Sequence, residues 1–204
     1  MQIRRSFLRE VIWKRMRHNR MALAGGLIVL SMFVMAALAS LVSGDPAAID
    51  VSQSLQPPSL IHPLGTDDLG RGVLVRLLYG ARISLLVGFV AVGISSLIGI
   101  ALGALAGYYG GWTDTLVMRF VDIMLCFPTF FLILAVIAFL NPSIWNIMIV
   151  IGLTSWMGVA RLIRAEFLSL RERDFVQAAK AIGASDLRLI FRHILPNALS
   201  PVLV

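Results

Sequence analysis

Long uncharged stretches alternate with short polar ones along this chain, and their lengths are those of membrane spans. Met21 to Gly44 holds no charged residue, and neither does Ile83 to Gly111. At about 1.5 Å per residue each exceeds the roughly 30 Å hydrocarbon core, so both are predicted to cross with some tilt. A third stretch, Phe120 to Leu140, carries Asp122 near its start, where a charge costs far less than the roughly 2.5–3.5 kcal/mol of mid-bilayer. Arg119, three residues earlier, shares its helical face and is the expected partner. A fourth stretch, Ile144 to Ala160, is uncharged, and Asn141-Pro142-Ser143 makes the turn into it.

Composition agrees with that pattern. Of 204 residues 58% are hydrophobic and 14% charged, with a mean hydropathy of +0.87, which excludes an ordinary water-soluble domain. Cys126 is the single cysteine, so no intramolecular disulfide forms, and its apolar surroundings predict a small buried hydrophobe. The first apolar stretch is long enough to span and is read as retained, not as a cleaved signal.

The net charge of +7 gains its meaning from placement. With the N-terminus in the cytoplasm, fifteen of the eighteen Lys and Arg residues fall inside, and only Arg71, Arg76 and Arg82 fall outside. That asymmetry fixes the predicted orientation and assigns the basicity to topology and anionic membrane lipid, with no nucleic acid required. The tail, residues 1–20, spaces Phe7, Ile12 and Met16 as a basic helix lying on the inner surface would.

The segment 45–82 is the longest external one. Its first part is rich in Pro and Ser and reads as extended loop; Thr66 or Asp67 is expected to cap the amphipathic run Val73 to Ala81 that enters the second span. Asp67, Asp68 and His62 make a poor metal site, since adjacent carboxylates point apart and the histidine lies five residues away.

After the fourth span the chain stays cytoplasmic over residues 161–196. A structureless loop of that length is unusual, and its Ala, Leu, Arg, Gln and Glu content predicts helix. Phe175, Ala179 and Ile182 share one face; Gly183 ends the helix in a left-handed conformation; Ser185 caps a second helix, Asp186 to Leu195, which Pro196 closes. Two short amphipathic helices meeting at a glycine suit a groove in a soluble partner, and a helix lying on lipid would carry a similar stripe.

The stretch QAAKAIGASDLRLIFRHILPN, Gln177 to Asn197, closely resembles the cytoplasmic EAA loop of permeases from ATP-binding-cassette importers. Ala178, Ala179, Gly183, Ile194, Leu195 and Pro196 match position by position, and Gln177 stands where Glu is usual. HPLGTDDLGRGVLVRLLYGARISLLVG and AGYYGGWTDTLVMRFVDIMLCFP are similar to the C-type subunit of the dipeptide, oligopeptide and nickel permeases. The resemblance implies an all-α integral membrane protein of a bacterial inner membrane, not itself an enzyme and without a cofactor. It implies a homologous B-type permease, two ATPase subunits and an extracytoplasmic solute-binding protein as partners. It further implies that Gln177, Ala178, Ala179, Gly183, Ala184, Ser185 and Asp186 couple the chain to an ATPase. The residues agree with that division of labour, because Lys14 and Lys180 are followed by Arg and Ala and so make no phosphate-binding loop.

The expected layout is therefore a cytoplasmic tail 1–20, a first span 21–44, an external loop 45–82 and a second span 83–111. A cytoplasmic turn 112–119, a third span 120–140, an external turn 141–143 and a fourth span 144–160 follow. The coupling loop 161–196 leads to 197–204 as the start of a fifth span. Permeases of this kind continue with two more spans, whereas only eight residues follow Pro196 here, fewer than the roughly 20 a span needs. A truncated, non-transporting relative is accordingly the alternative expectation.

Overall fold

The computed structural model describes residues 19–42, 44–140 and 143–199. The expected surface helix of the tail lies outside them apart from Asn19 and Arg20, as do most of the expected turn at 141–143 and the residues after 199. Two compact units are formed, Met1–Leu86 and Val87–Val204.

In the first unit, helix α1 (Arg20–Leu38) opens on Asn19, whose side-chain oxygen accepts from the N–H groups of Met21 and Ala22 at 3.1 and 3.3 Å. Such a cap satisfies amides that a helix start leaves unpaired. No residue of α1 is buried within the unit, as expected of a helix whose surroundings are lipid or partners.

The loop that follows is more ordered than its composition predicts. Asp50 caps a 3-10 turn, Val51–Gln53, and the Asp50 N–H donates to the Leu69 carbonyl at 3.1 Å. Gly70, with φ of 74°, lets the Asp50 backbone approach so closely that a side chain there would collide with it. Neither Thr66 nor Asp67 caps the next helix, contrary to expectation. The Thr66 hydroxyl donates to the Gln53 carbonyl and accepts from the Gln56 N–H, while Asp67 accepts from the N–H groups of Leu69 and Arg71, both at 2.9 Å. Five residues separate Asp67 from the helix start at Val73, too far for a cap, so its carboxylate closes the turn instead. His62 lies 2.8 Å from the Gln53 side-chain oxygen, and Asp67 pairs with Arg71 and Arg76.

These bonds govern the titration of Asp67. Partial burial pushes its carboxyl up, but the Arg71 and Leu69 amides and the Arg71 guanidinium outweigh that and hold it at about 2, below the ordinary 3.8. A depressed value means that the group stabilises the loop fully above pH 3.8 and loses that effect as pH falls towards 2. The Leu69 and Arg71 amide resonances are expected to titrate with a midpoint near 2; a midpoint near 3.8 would show that the turn is not closed by Asp67.

Helix α2 (Val73–Tyr109) runs on from this loop for 37 residues, so the amphipathic entry and the second span form one element. Gly110 and Gly111, with φ of 66° and 53°, turn the chain into α3 (Gly111–Leu125). The expected turn at 112–119 is therefore helical: the two glycines make the corner alone.

The third span is not one straight helix. Helix α3 and α4 (Thr129–Phe139) meet at 80°. Pro128 supplies no N–H and keeps Phe127 out of the helical region, so α3 must stop before it. Cys126, expected to be buried, is exposed at this break, with its thiol donating to the Asp122 carbonyl at 3.3 Å.

Helices α5 (Ile144–Thr154) and α6 (Trp156–Arg171), with only Ser155 between them, form the fourth span, extended eleven residues beyond the expected end at Ala160. Among the described residues three helices or helix pairs are long and apolar enough to cross a membrane, and the α3–α4 pair raises the number to four when it is counted as one broken span.

The core of the second unit forms where α2 crosses α6. Gly99, Gly103 and Gly107 lie on one α2 face, four residues apart, against Val159, Ala160, Ile163 and Phe167. A β-carbon at Gly103 would stand 2.5 Å from the Ala160 carbonyl oxygen and 2.9 Å from the Ile163 β-carbon. Small residues at such spacing bring helices within backbone contact, which is how spans associate without a hydrophobic driving force.

Candidate functional site: the two-helix loop and its anchors

Helix α7 (Asp174–Ala181) is short because Gly183 follows it with φ of 83°. The Gly183 N–H donates to the Lys180 carbonyl at 3.0 Å and the Ala184 N–H to the Ala179 carbonyl at 3.1 Å, the paired bonds by which a left-handed glycine ends a helix. Ser185 then holds the cap position of α8 (Asp186–Arg188), but its side chain makes no capping bond; its carbonyl accepts from the Leu189 N–H at 2.9 Å.

The second helix passes through Pro196 instead of stopping there. Leu189–Ile194 forms a π segment and Leu195–Ala198 resumes as α9. A proline inside an α-helix clashes with the carbonyl four residues back and lacks a donor; widening the preceding turn relieves both and leaves the axis continuous.

The loop's two faces differ from the expected stripe. Val176 and Ala179 point inward, Ala179 only 7% exposed, and join Ile163, Phe167, Leu189, Ile190 and Ile194 in one apolar cluster. Ala179 is thus a packing residue beneath the loop. The outward face is built from Phe175, Ala178 and Ile182, spaced three and four apart, with Phe175 44% and Ile182 87% exposed. Ala184 is half-buried on the edge of the cluster.

Polar bonds tie this loop to the ends of the spans. The Tyr108 hydroxyl donates to the Asp186 carboxylate at 2.6 Å, Arg171 donates to the Tyr108 carbonyl at 3.0 Å, and the Gln177 amide donates to the Arg171 carbonyl at 2.9 Å. The last bond explains a glutamine at position 177: it satisfies an orphan carbonyl at the end of α6, which a carboxylate cannot do. Tyr108, Arg171, Gln177, Lys180 and Asp186 surround a cavity of about 410 Å³. Sequence reasoning singled out Gln177 and Asp186 but missed Tyr108 and Arg171. The signal available was position, since each ends an uncharged or amphipathic helix next to the loop.

Two ion pairs fix α3 to α6. Arg164 grips the Asp114 carboxylate with two donors, Nη2 to Oδ2 at 2.6 Å and Nε to Oδ1. Arg161 Nη2 donates to Asp122 Oδ1 at 2.6 Å. The expected pairing of Asp122 with Arg119 is therefore replaced by a bond between helices, because α6 presents a guanidinium that faces Asp122.

Comparisons with known proteins bear on both ends of the chain. Residues 99–204 match the family described as binding-protein-dependent transport system inner membrane component, and residues 6–58 match the N-terminal TM domain of oligopeptide transport permease C. A dipeptide transport system permease protein of Alkalihalophilus pseudofirmus is 45% identical over 94% of this chain and 64% of its own length. That of Bacillus subtilis is 38% identical over 94% of this chain and 60% of its own, and that of Haemophilus influenzae 39% identical over 96% and 68%. The chain thus spans less than two thirds of the first two relatives. A multi-span, helical architecture and these matches together place the chain in the family of binding-protein-dependent transport system inner membrane components, to which it belongs.

Proposed function

We propose that the chain serves as a permease subunit of an ATP-binding-cassette importer, contributing part of the path for short peptides and coupling it to ATP hydrolysis on a separate subunit. Peptide as the solute is taken from the relatives' names, all three of which specify dipeptides. The partners in this reading are a homologous B-type permease, two ATPase subunits and an extracytoplasmic binding protein. The N-terminus, the 110–111 corner and the 172–199 region lie on the cytoplasmic side, in keeping with fifteen of eighteen basic residues.

The observation that carries the coupling role is an apolar face left outward on a helix whose other face is anchored. Ile182 and Phe175 project from α7 while Val176 and Ala179 lock it to the spans beneath. Motion imposed on such a helix is passed to α2 and α6 through Tyr108, Arg171 and Asp186. Burying one large apolar side chain is worth about 1.5–3 kcal/mol. The Phe175→Ala/Ile182→Ala double variant is therefore expected to lower capture of the ATPase subunits by at least about tenfold, with membrane levels unchanged. Undiminished co-purification would overturn the assignment of this face. Ala179→Asp is expected instead to lower the amount of folded protein, since it places a carboxylate within the apolar cluster.

A further inference from the structure

We infer that the face of α3 and α6 bearing Asp122 and Arg161 lines the water-filled path through the membrane and does not meet lipid; this rests on the transport reading above. The depth of the pair follows from the helix crossing. Ala160, beside Arg161, lies against Gly103 of α2. The uncharged stretch of α2 runs from Ile83 to Gly111, with Leu97 at its middle. Gly103 is six residues from that middle, or about 9 Å at 1.5 Å per residue, inside the roughly 15 Å half-thickness of a hydrocarbon core.

At that depth the pair is strongly exposed. Asp122 and Arg161 side chains are 48% and 53% accessible, joined by one bond of 2.6 Å. A guanidinium has five donors and a carboxylate about four acceptor positions, so most of their bonding capacity faces outward. Acyl chains satisfy none of it, and charged groups within spans characteristically face the bundle interior or a water-filled cavity. The neighbouring pair sharpens the contrast. Asp114 and Arg164 join the same two helices, but through two bonds and with only 19% and 33% exposure. One pair is closed upon itself, and the other is open to whatever lies beside it. A wall offering one charge of each sign carries no net charge, so it neither traps nor repels by overall attraction a solute bearing both an ammonium and a carboxylate.

Thiol accessibility in membrane vesicles tests this independently of transport. Asp122→Cys and Arg161→Cys are placed separately in a Cys126→Ser chain, co-produced with the ATPases and second permease, and treated with a permanently cationic methanethiosulfonate reagent. Such reagents attack thiolates, which form in water and not in lipid, so both positions are expected to react at least about tenfold faster than Leu27→Cys on α1. Because Asp122 and Arg161 also pair with each other, the unaltered chain supplies a second reading: Cys126 lies four residues from Asp122 on the same face and is exposed, and it too is expected to label. Rates at all three positions no faster than at Leu27, in vesicles that still take up peptide, would overturn the inference alone. Labelling that persists where uptake and ATPase capture fail would support this face as hydrated and count against the transport reading alone.

Discussion

Gly103→Leu is expected to force apart the two central helices of the second unit, at a cost of about 3 kcal/mol or more. Its first side-chain atom alone would stand 2.5 Å from the Ala160 carbonyl oxygen and 2.9 Å from the Ile163 β-carbon. Both obstacles are backbone or branch-point atoms that cannot swing aside. Separation of α2 from α6 would also open the cluster of Ile163, Phe167, Val176 and Ile194 on which the two-helix loop rests. The check is a comparison of thermal unfolding midpoints in detergent with Gly93→Leu, on the same helix. A β-carbon at Gly93 meets nothing within 4 Å. Removing an unneeded helical glycine gains up to about 1 kcal/mol of propensity, so Gly93→Leu is expected to be neutral or slightly stabilising. Equal losses at both positions would show that the Gly103 seam is not what holds these helices together.

That seam was present in the sequence as three glycines four residues apart, yet its meaning depended on a partner. Uncharged length was enough to find the helices α1 and α2 and the start of α5, because hydrocarbon thickness acts on each segment by itself; the end of α6 at Arg171, past Ala160 and through charged residues, was not legible that way. The left-handed glycine at 183 was equally legible, since the requirement is local. Features decided between helices were not. Phe175, Ala179 and Ile182 fit one stripe by spacing, but α6 and the π segment lie beneath Val176 and Ala179, so the stripe is rotated and Phe175 and Ile182 stay outside. Asp122 was matched to the nearest basic residue along the chain, while the fold supplies Arg161 from 39 residues away. The helix through Pro196 was missed for a related reason: a proline reads as a stop unless the preceding turn widens, and that widening occurs where Leu189, Ile190 and Ile194 must all reach the core.

Asp114→Asn is expected to cost about 2 kcal/mol, against less than about 1 kcal/mol for Asp122→Asn, although both remove a carboxylate bonded to an arginine of α6. The difference comes from enclosure. Arg164 meets Asp114 as a fork, with both side chains largely shielded, so losing the carboxylate leaves a guanidinium poorly solvated. Asp114 also sits in the first turn of α3, where a negative charge is favoured by the unpaired amides of the helix start. Asp122 and Arg161, each about half exposed, keep access to their surroundings when the bond is broken. A double-mutant cycle isolates the pairwise part: Asp114→Asn, Arg164→Gln and the two together are expected to show a coupling of about 1–3 kcal/mol, with little coupling in the matching Asp122 and Arg161 cycle. Equally large couplings would mean that both pairs are sealed from water, which would remove the contrast on which the hydrated face of α3 and α6 depends. A large coupling confined to Asp114 and Arg164 would make that pair the clasp holding α3 against α6, and leave the outer pair available to the path.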